Sequence, residues 1–161
     1  MDFPKEGIDF IDVTTVLQDG EAFRKALDLM IKKIDAFPEV DLVIAPESRG
    51  FIFGAPISFV KGIGFAPIRK PGKLPYKTVK IEYELEYGSG TLEMHADAVK
   101  PGQKVVIVDD LLATGGTIEA NIKLVESLGG EVVGLLFFIE LDFLKGREKL
   151  KNYRVESVVH L

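Results

Sequence analysis

The chain has 161 residues with a net charge of −5 at pH 7, and 47% of them are hydrophobic, which predicts one folded domain over residues 1–161. The negative charge argues against a nucleic-acid partner, because phosphate backbones are held by clustered Lys and Arg. The chain has no cysteine, which excludes disulfides and cysteine-ligated metals, and no apolar stretch reaches the roughly 20 residues of a membrane helix, so we expect a cytoplasmic protein with no membrane partner.

Apolar residues recur at helical spacing in the first third of the chain and predict a helix over residues 21–37, closed by Pro38. The run "DLVIA" (41–45) is typical of a short buried strand. An apolar, helical stretch follows over residues 51–60, and "GFAPIRK" (64–70) predicts another strand.

The middle of the chain combines turn residues with period-two strands. Residues 71–78 are rich in Pro, Gly and Lys and predict a mobile surface loop. The segments "VKIEYELEY" (79–87) and "TLEMHAD" (91–97) alternate apolar and polar residues on either side of the "GSG" at 88–90, which predicts a hairpin.

The last part of the chain alternates strands with helices. The pattern predicts a strand over 104–109, a helix over 117–128, a strand over 131–140, a short helix over about 145–151 and a strand over 154–161. Such alternation predicts an α/β fold, in which a central, mainly parallel twisted sheet has helices on both faces.

The stretch "VVIVDDLLATGGT" (105–117) has the clearest functional signal. Ligands of open α/β sheets bind beyond the carboxyl ends of the strands, where we expect Asp109 and Asp110. Residues 113 to 117 lead into a helix whose unpaired N–H groups form an anion site, and glycines let a phosphate approach the backbone closely. Carboxylates repel a phosphate, so the two acids need sugar hydroxyls or a bound Mg²⁺ as partners. A phosphorylated sugar meets both demands.

Two other interpretations of this stretch fit its residues less well. If the acids merely cap the loop and the glycines form a turn, two adjacent acids stand at the end of a buried strand without a use. A dinucleotide-binding turn is the other alternative, but the G-x-G-x-x-G pattern is absent and the acids precede the glycines.

The stretch "VVIVDDLLATGGT" resembles the phosphoribosyl pyrophosphate signature of the type I phosphoribosyltransferases. With "ESRGFIFGAP", "RKPGKLP", "YELEYGSGTLEMHADAVKPGQ" and "ATGGTIEA", it is similar to the adenine-specific branch of that family, over nearly the whole chain from "FPKEGIDFIDVT" onward. The resemblance implies the type I phosphoribosyltransferase fold, with a flexible loop or hairpin and a small N-terminal hood. It also implies a purine-salvage enzyme that uses phosphoribosyl pyrophosphate and adenine to form AMP and pyrophosphate, requires Mg²⁺ and is a homodimer.

The resemblance assigns residues to four parts of the site. The phosphoribosyl group is assigned to Asp109 and Asp110 for the ribose hydroxyls, and to Ala113, Thr114, Gly115, Gly116 and Thr117 for the 5′-phosphate. Pyrophosphate is assigned to Ser48, Arg49, Arg69, Lys70 and Lys73, and the Glu47–Ser48 peptide bond is typically cis. Adenine is assigned to Asp9, Phe10, Ile11 and Leu141. The catalytic pair is Glu86 and Tyr87, with Glu86 as the general base at adenine N7. Mg²⁺ is held mainly by the substrate, without a direct protein ligand.

Several alternatives remain open on the residues alone. The cations of "RKPGK" are also consistent with a solvated loop, and "ELEY" with an edge strand whose acids face water. Within the enzyme class, the rival is transfer to another base, such as hypoxanthine, guanine or xanthine. From another class comes a regulator that senses phosphoribosyl pyrophosphate, but such regulators generally have a separate basic DNA-binding region, which the negative charge does not favour.

Overall fold

The computed structural model of the protein describes residues 13–84 and 88–161. The predicted N-terminal hood therefore lies outside the described residues, as do five predicted site residues: Asp9, Phe10, Ile11, Glu86 and Tyr87. Within the described part of the chain, no helix is long and apolar enough to cross a lipid bilayer.

Seven strands are described, and five of them form one parallel sheet. In chain order the strands are β1 (Leu42–Pro46), β2 (Gly64–Ile68), β3 (Thr78–Glu84), β4 (Ser89–His95), β5 (Lys104–Leu112), β6 (Glu131–Glu140) and β7 (Val155–His160). The central sheet has the order β2-β1-β5-β6-β7, with every neighbouring pair parallel. Strands β3 and β4 pair antiparallel as a separate sheet, which confirms the predicted hairpin.

The helices cover the central sheet. They are α1 (Thr14–Gln18), α2 (Gly20–Ile34), α3 (Arg49–Lys61) and α4 (Gly116–Ser127). Asp19 caps α2 by accepting the N–H groups of Glu21 and Ala22 at 3.0 and 2.9 Å. The short helix predicted near residues 145–151 is a pair of 3₁₀ turns, Asp142–Leu144 and Gly146–Leu150, and α1 was not predicted.

Alternation along β5 divides the hydrophobic core into two layers. Val106 and Val108 pack with the buried residues of α2 and α3 on one face of the sheet. Val105 and Ile107 pack on the other face with those of α4 and the β3–β4 hairpin. Because both faces of the strand are buried, its sequence is continuously apolar instead of alternating. The predicted α/β architecture is therefore confirmed.

Strand β5 continues three residues beyond its predicted end at Asp109. Its pairing with β6 runs from Lys104 opposite Glu131 to Leu112 opposite Glu140, with one register shift between Val105 and Val106. The acids at 109 and 110 thus lie within a paired strand and not in the loop after it. The strand backbone orients both carboxylates before the chain turns towards α4.

Candidate active site

A cavity of about 300 Å³ lies at the carboxyl ends of β1 and β5. Its wall is formed by residues 46–49, at the start of α3, and by residues 109–118, which lead into α4. Parallel strands bring the loops that follow them to one edge of the sheet. Two segments that are far apart in the sequence, and that were predicted separately to bind anions, therefore share one cavity.

Asp110 and Arg49 form an ion pair at this cavity. Arg49 Nε lies 2.8 Å from Asp110 Oδ2, and the Asp110 side chain is only 8% exposed. The N–H of Asp110 donates to Asp109 Oδ1 at 2.8 Å. The η nitrogens of Arg49 carry the other N–H donors of the guanidinium, and Arg49 is part of the cavity wall, so these donors suit an anion there.

Desolvation raises the pKa of Asp109 well above its ordinary value, and the negative charge of Asp110 adds to this shift. The N–H of Asp110 and the positive charge of Arg49 oppose it without cancelling it. An acid in such surroundings is stabilised as a carboxylate when new donors reach it. Sugar hydroxyls are donors of this kind, so the raised pKa suits a site that is completed by its ligand.

We expect Asp109→Asn to stabilise the protein without ligand at neutral pH. The raised pKa means that Asp109 contributes its full stability only at a pH below about 3.9, the pKa of the group in the unfolded chain. This stability is lost as the pH rises through the pKa of Asp109 in the folded protein. Asparagine avoids that loss and keeps an oxygen for the Asp110 N–H. The gain in Tm should be absent near about pH 3 and grow with pH. It should reach about 2–4 °C, which corresponds to a change of about 1 kcal/mol in the free energy of unfolding for a chain of this size. Thermal unfolding across this pH range is the measurement, and parallel curves for the two proteins would contradict the expectation.

The start of α4 has the geometry of an anion site. Gly115 precedes the helix in the left-handed region, with φ of 85°, and no side chain of the described residues caps the helix. The first N–H groups of a helix have no partner within the helix, and they carry its positive partial charge. Thr114 and Thr117 also line the cavity, where their hydroxyls add donors. This arrangement suits a phosphate group.

A second loop packs against residues 113–115 and restricts their position. A Cβ built on Gly146 would overlap the carbonyl oxygen of Ala113, and one built on Gly115 would lie 2.9 Å from the carbonyl oxygen of Gly146. Arg147 fixes this second loop to β6 by donating to both carboxylate oxygens of Glu140, at 2.9 and 2.6 Å. Gly146 was missed in the sequence analysis, which placed it in a short helix over about 145–151 without a functional role.

The carboxylate of Glu47 forms hydrogen bonds with the three cationic residues of the segment 69–73, beside the cavity. It accepts from Arg69 Nε at 3.3 Å, from the backbone N–H of Lys70 at 2.7 Å and from Lys73 Nζ at 2.7 Å. Burial by itself would raise the pKa of Glu47, but the hydrogen bonds from Lys73 and Lys70 outweigh it and lower the pKa. Glu47 is a wall residue, whereas the wall, as far as the structure describes it, does not include the three cations.

Three potential metal ligands also meet at the ends of β6 and β7. Atoms of Glu140, Asp142 and His160 lie within 4.8 Å of one another. Glu140 is already bound by Arg147, which lowers its pKa, and its Oε2 accepts from Ser157 Oγ at 2.6 Å. A metal ion there would face the adjacent guanidinium charge. We therefore assign no metal to this cluster.

Comparison with known proteins gives the family. The sequence-family model for the phosphoribosyl transferase domain matches residues 12–159 of the chain. The adenine phosphoribosyltransferase of Acetivibrio thermocellus is 66% identical over 158 residues, which are 98% of this chain and 92% of the relative. The chain belongs to the adenine phosphoribosyltransferase family.

Solved structures of adenine phosphoribosyltransferases share this fold. The enzyme from Thermoanaerobacter pseudethanolicus has a TM-score of 0.95 at 56% identity, over 99% of this chain and 92% of that chain. The enzyme from Saccharomyces cerevisiae has a TM-score of 0.89 at 41% identity, over 97% of this chain and 90% of that chain. The yeast structure is a complex with D-2,5-dideoxy-2,5-imino-altritol 1,6-bisphosphate and adenine. The type I phosphoribosyltransferase fold expected from the resemblance is confirmed.

The structure of this adenine phosphoribosyltransferase family member brings together part of the predicted site. The predicted residues in the cavity wall are Ser48, Arg49, Asp109, Asp110, Ala113, Thr114, Gly115, Gly116 and Thr117. Leu141 is half-buried beside the wall, where its N–H donates to the carbonyl of Leu112 at 3.0 Å. The Glu47–Ser48 peptide bond is cis, as the resemblance implies. The cations of residues 69–73 contact this wall through Glu47.

Proposed function

We propose that the protein is a purine-salvage enzyme that transfers the 5-phosphoribosyl group of phosphoribosyl pyrophosphate to N9 of adenine, giving AMP and pyrophosphate. The observation that carries the proposal is a single cavity in which an uncapped helix start lies beside two acids and an arginine. A sugar with a phosphate at one end and pyrophosphate at the other matches these features in order. Membership of the adenine phosphoribosyltransferase family supports the same reaction.

The phosphoribosyl half of the substrate occupies the β5–α4 side of the cavity in this proposal. The 5′-phosphate accepts hydrogen bonds from the backbone N–H groups of residues 113–117. The glycines of this loop have no side chain and so leave room for the phosphate oxygens. Asp109 and Asp110 accept the ribose hydroxyls. These donors favour the ionised form of Asp109, whose pKa is raised in the protein without ligand.

The pyrophosphate half lies towards α3. Ser48 and Arg49 are at the start of that helix and in the cavity wall, so their donors meet the anion directly. Arg69, Lys70 and Lys73 add positive charge next to Glu47. Since negative charge accumulates on pyrophosphate as it leaves the sugar, preorganised cations lower the barrier of the transfer step.

Mg²⁺ fits this site as a companion of the substrate. When bound, it neutralises part of the pyrophosphate charge, and oxygen atoms are its preferred ligands. Asp109 and Asp110 offer carboxylate oxygens at the cavity, but Asp110 is already paired with Arg49 at 2.8 Å. Following the family resemblance, we assign the ion mainly to the oxygens of phosphoribosyl pyrophosphate, with no direct protein ligand.

The adenine half of the proposal depends largely on the family resemblance. Phe10 stacks on the ring, and the backbone of Asp9 and Ile11 reads its edge. Leu141, half-buried next to the cavity, covers the ring from the other side. The family pattern has a basic residue where this chain has Ile11, and it implies that this position contacts the base through its main chain.

We expect adenine to be preferred over hypoxanthine by at least about tenfold in kcat/KM. A main-chain donor and acceptor that complement N1 and the 6-amino group of adenine are mispaired with hypoxanthine, and each mispaired buried group costs about 1–3 kcal/mol. The test is incubation with phosphoribosyl pyrophosphate, Mg²⁺ and each of adenine, hypoxanthine, guanine and xanthine, with nucleotide detected by absorbance. Comparable efficiency with hypoxanthine would refute the base, and no nucleotide from any base would refute the reaction.

The proposal includes a homodimer, which the family resemblance implies. Phe59 is 87% exposed and Val60 is 60% exposed at the end of α3, so this helix presents adjacent apolar side chains to its surroundings. These residues are candidates for the contact with a second copy. In the family pattern, some cations of residues 69–73 extend towards the pyrophosphate of the neighbouring subunit.

A further inference from the structure

Two glutamates hold the segment 69–73, which follows β2, and they act on different parts of it. Glu93 binds mainly its backbone, whereas Glu47 binds two of its cationic side chains. We propose that Glu47 is a positioning residue that holds Arg69 and Lys73 ready for the pyrophosphate of phosphoribosyl pyrophosphate. This inference rests on the proposed function, in which the two cations bind that group.

The contacts of Glu47 leave donors free for a ligand. Lys73 Nζ lies 2.7 Å from Glu47 Oε2, and an ammonium has three donors, so this contact uses only part of them. Arg69 approaches Glu47 with Nε, at 3.3 Å, and its Nη1 donates to the carbonyl oxygen of Lys73 at 3.4 Å, which leaves Nη2 and the second N–H of Nη1 for an anion. The Glu47 side chain is 10% exposed, and ion pairs are stronger where water is largely excluded. Glu47 can therefore fix both side chains without saturating them.

The backbone of the segment has a separate anchor. The N–H of Arg69 donates to the carbonyl of Glu93 at 2.9 Å, and the N–H of Glu93 donates back at 2.7 Å. The Glu93 carboxylate also accepts from the N–H of Gly72 at 3.3 Å and pairs with Lys80 Nζ at 2.8 Å. The path of the segment thus does not depend on the charge of Glu47. Glu47→Gln also keeps an acceptor for the N–H of Lys70, so the segment stays in place while both cations lose their ion pair with Glu47; Arg69 keeps only its 3.4 Å contact with the carbonyl oxygen of Lys73.

Two opposing effects decide whether Glu47→Gln strengthens or weakens binding of phosphoribosyl pyrophosphate. A negative charge next to the pyrophosphate site repels the ligand, so its removal would favour binding. That charge is already matched by two cations within 3.3 Å, which leaves little net repulsion. Without Glu47, both long side chains regain rotamer freedom that the ligand must then remove, and we expect this ordering cost to weaken binding by about tenfold.

A double-mutant cycle tests whether Glu47 acts through Lys73. The four proteins are wild type, Glu47→Gln, Lys73→Met and the double variant, and calorimetric titration with phosphoribosyl pyrophosphate and Mg²⁺ gives each Kd. We expect each single variant to bind about tenfold more weakly, and the double variant to lose far less than the product of the two losses. At saturating phosphoribosyl pyrophosphate, Glu47→Gln should also lower kcat, because cations that are no longer preorganised stabilise less well the charge that accumulates on the leaving pyrophosphate.

Matched variants separate this role from a general effect on the fold. Glu156 also binds one lysine and one arginine, Lys33 at 3.3 Å and Arg154 at 3.3 Å, and it is not among the residues that form the cavity wall. Glu156→Gln should therefore leave the Kd unchanged. Glu47→Asp keeps the charge and should bind phosphoribosyl pyrophosphate more tightly than Glu47→Gln. If Glu47→Gln folds poorly, Glu47→Asp is compared with wild type instead, and its shorter side chain should weaken binding.

Additive losses in the cycle, or binding by Glu47→Gln that equals or exceeds that of wild type, would overturn the inference and leave the proposed function intact. A Lys73→Met protein that binds like wild type would overturn it too, since Glu47 would then position nothing the ligand uses. Wild-type protein that does not bind phosphoribosyl pyrophosphate would instead overturn the proposed function, and the inference with it.

Discussion

Glu86→Gln is expected to slow the chemical step by about 10²–10⁴-fold, the usual span for loss of a general base. Adenine must lose a proton as N9 bonds to the sugar carbon, and if it binds as the N7–H tautomer, a carboxylate next to N7 can accept that proton. Glutamine keeps the size of the side chain and can still donate a hydrogen bond, but it cannot take the proton.

Rapid-quench measurement of a single turnover is the appropriate test, because slow product release would mask the loss in steady-state kcat. Binding of phosphoribosyl pyrophosphate should stay nearly unchanged. Glu82→Gln is the matched control, since Glu82 is an exposed acid on β3, four residues before Glu86 in the sequence, and its chemical step should equal that of wild type. An unaltered chemical step in Glu86→Gln would show that the proton leaves adenine by another route.

Gly146→Ala is expected to weaken binding of phosphoribosyl pyrophosphate by at least about tenfold and to destabilise the fold by about 1–3 kcal/mol. The added methyl group would overlap the carbonyl oxygen of Ala113, so either the phosphate loop or the Gly146 loop must move. Arg147 ties the Gly146 loop to Glu140 and to the carbonyl of Val155, at 2.6 to 2.9 Å. The phosphate loop is therefore the part that yields, and its N–H groups lose their alignment with the 5′-phosphate.

Calorimetric titration and thermal unfolding of the same variant measure the two effects. Gly116→Ala is the comparison for stability, because a Cβ there meets no atom of the described residues within 4 Å. Alanine is favoured over glycine within a helix by about 0.5–1 kcal/mol, so Gly116→Ala should unfold at or above the temperature of wild type. A Gly146→Ala protein with the affinity of wild type would show that the phosphate loop does not depend on this contact.

Elements with strong local patterns were predicted nearly to the residue. Strand β6 has the predicted bounds, 131–140, because its continuous apolar run is delimited by Gly-Gly on one side and an acid on the other. The hairpin followed from period-two alternation around the glycines at 88 and 90. Helix α1, with five residues, is too short for a helical period to be visible. The end of β5 was placed at Asp109 because its extension to Leu112 depends on pairing with β6.

The sequence by itself determined the parts of the site that are local along the chain. The acids at 109 and 110 and the glycines at 115 and 116 form one continuous segment, and helix-start and turn chemistry depend on neighbouring residues alone. These rules were enough to indicate a phosphorylated sugar.

Only the tertiary structure decided which distant residues complete the site. The pairs Arg49–Asp110 and Glu47–Lys73, and the close approach of Gly146 to Ala113, each join segments that are far apart in the sequence. Such contacts follow from the order and register of the parallel strands, which bring the ends of β1, β2, β5 and β6 to one edge of the sheet. A sequence pattern reports the conformational preferences of adjacent residues. It has no signal for which side chains meet after strands from different parts of the chain have paired.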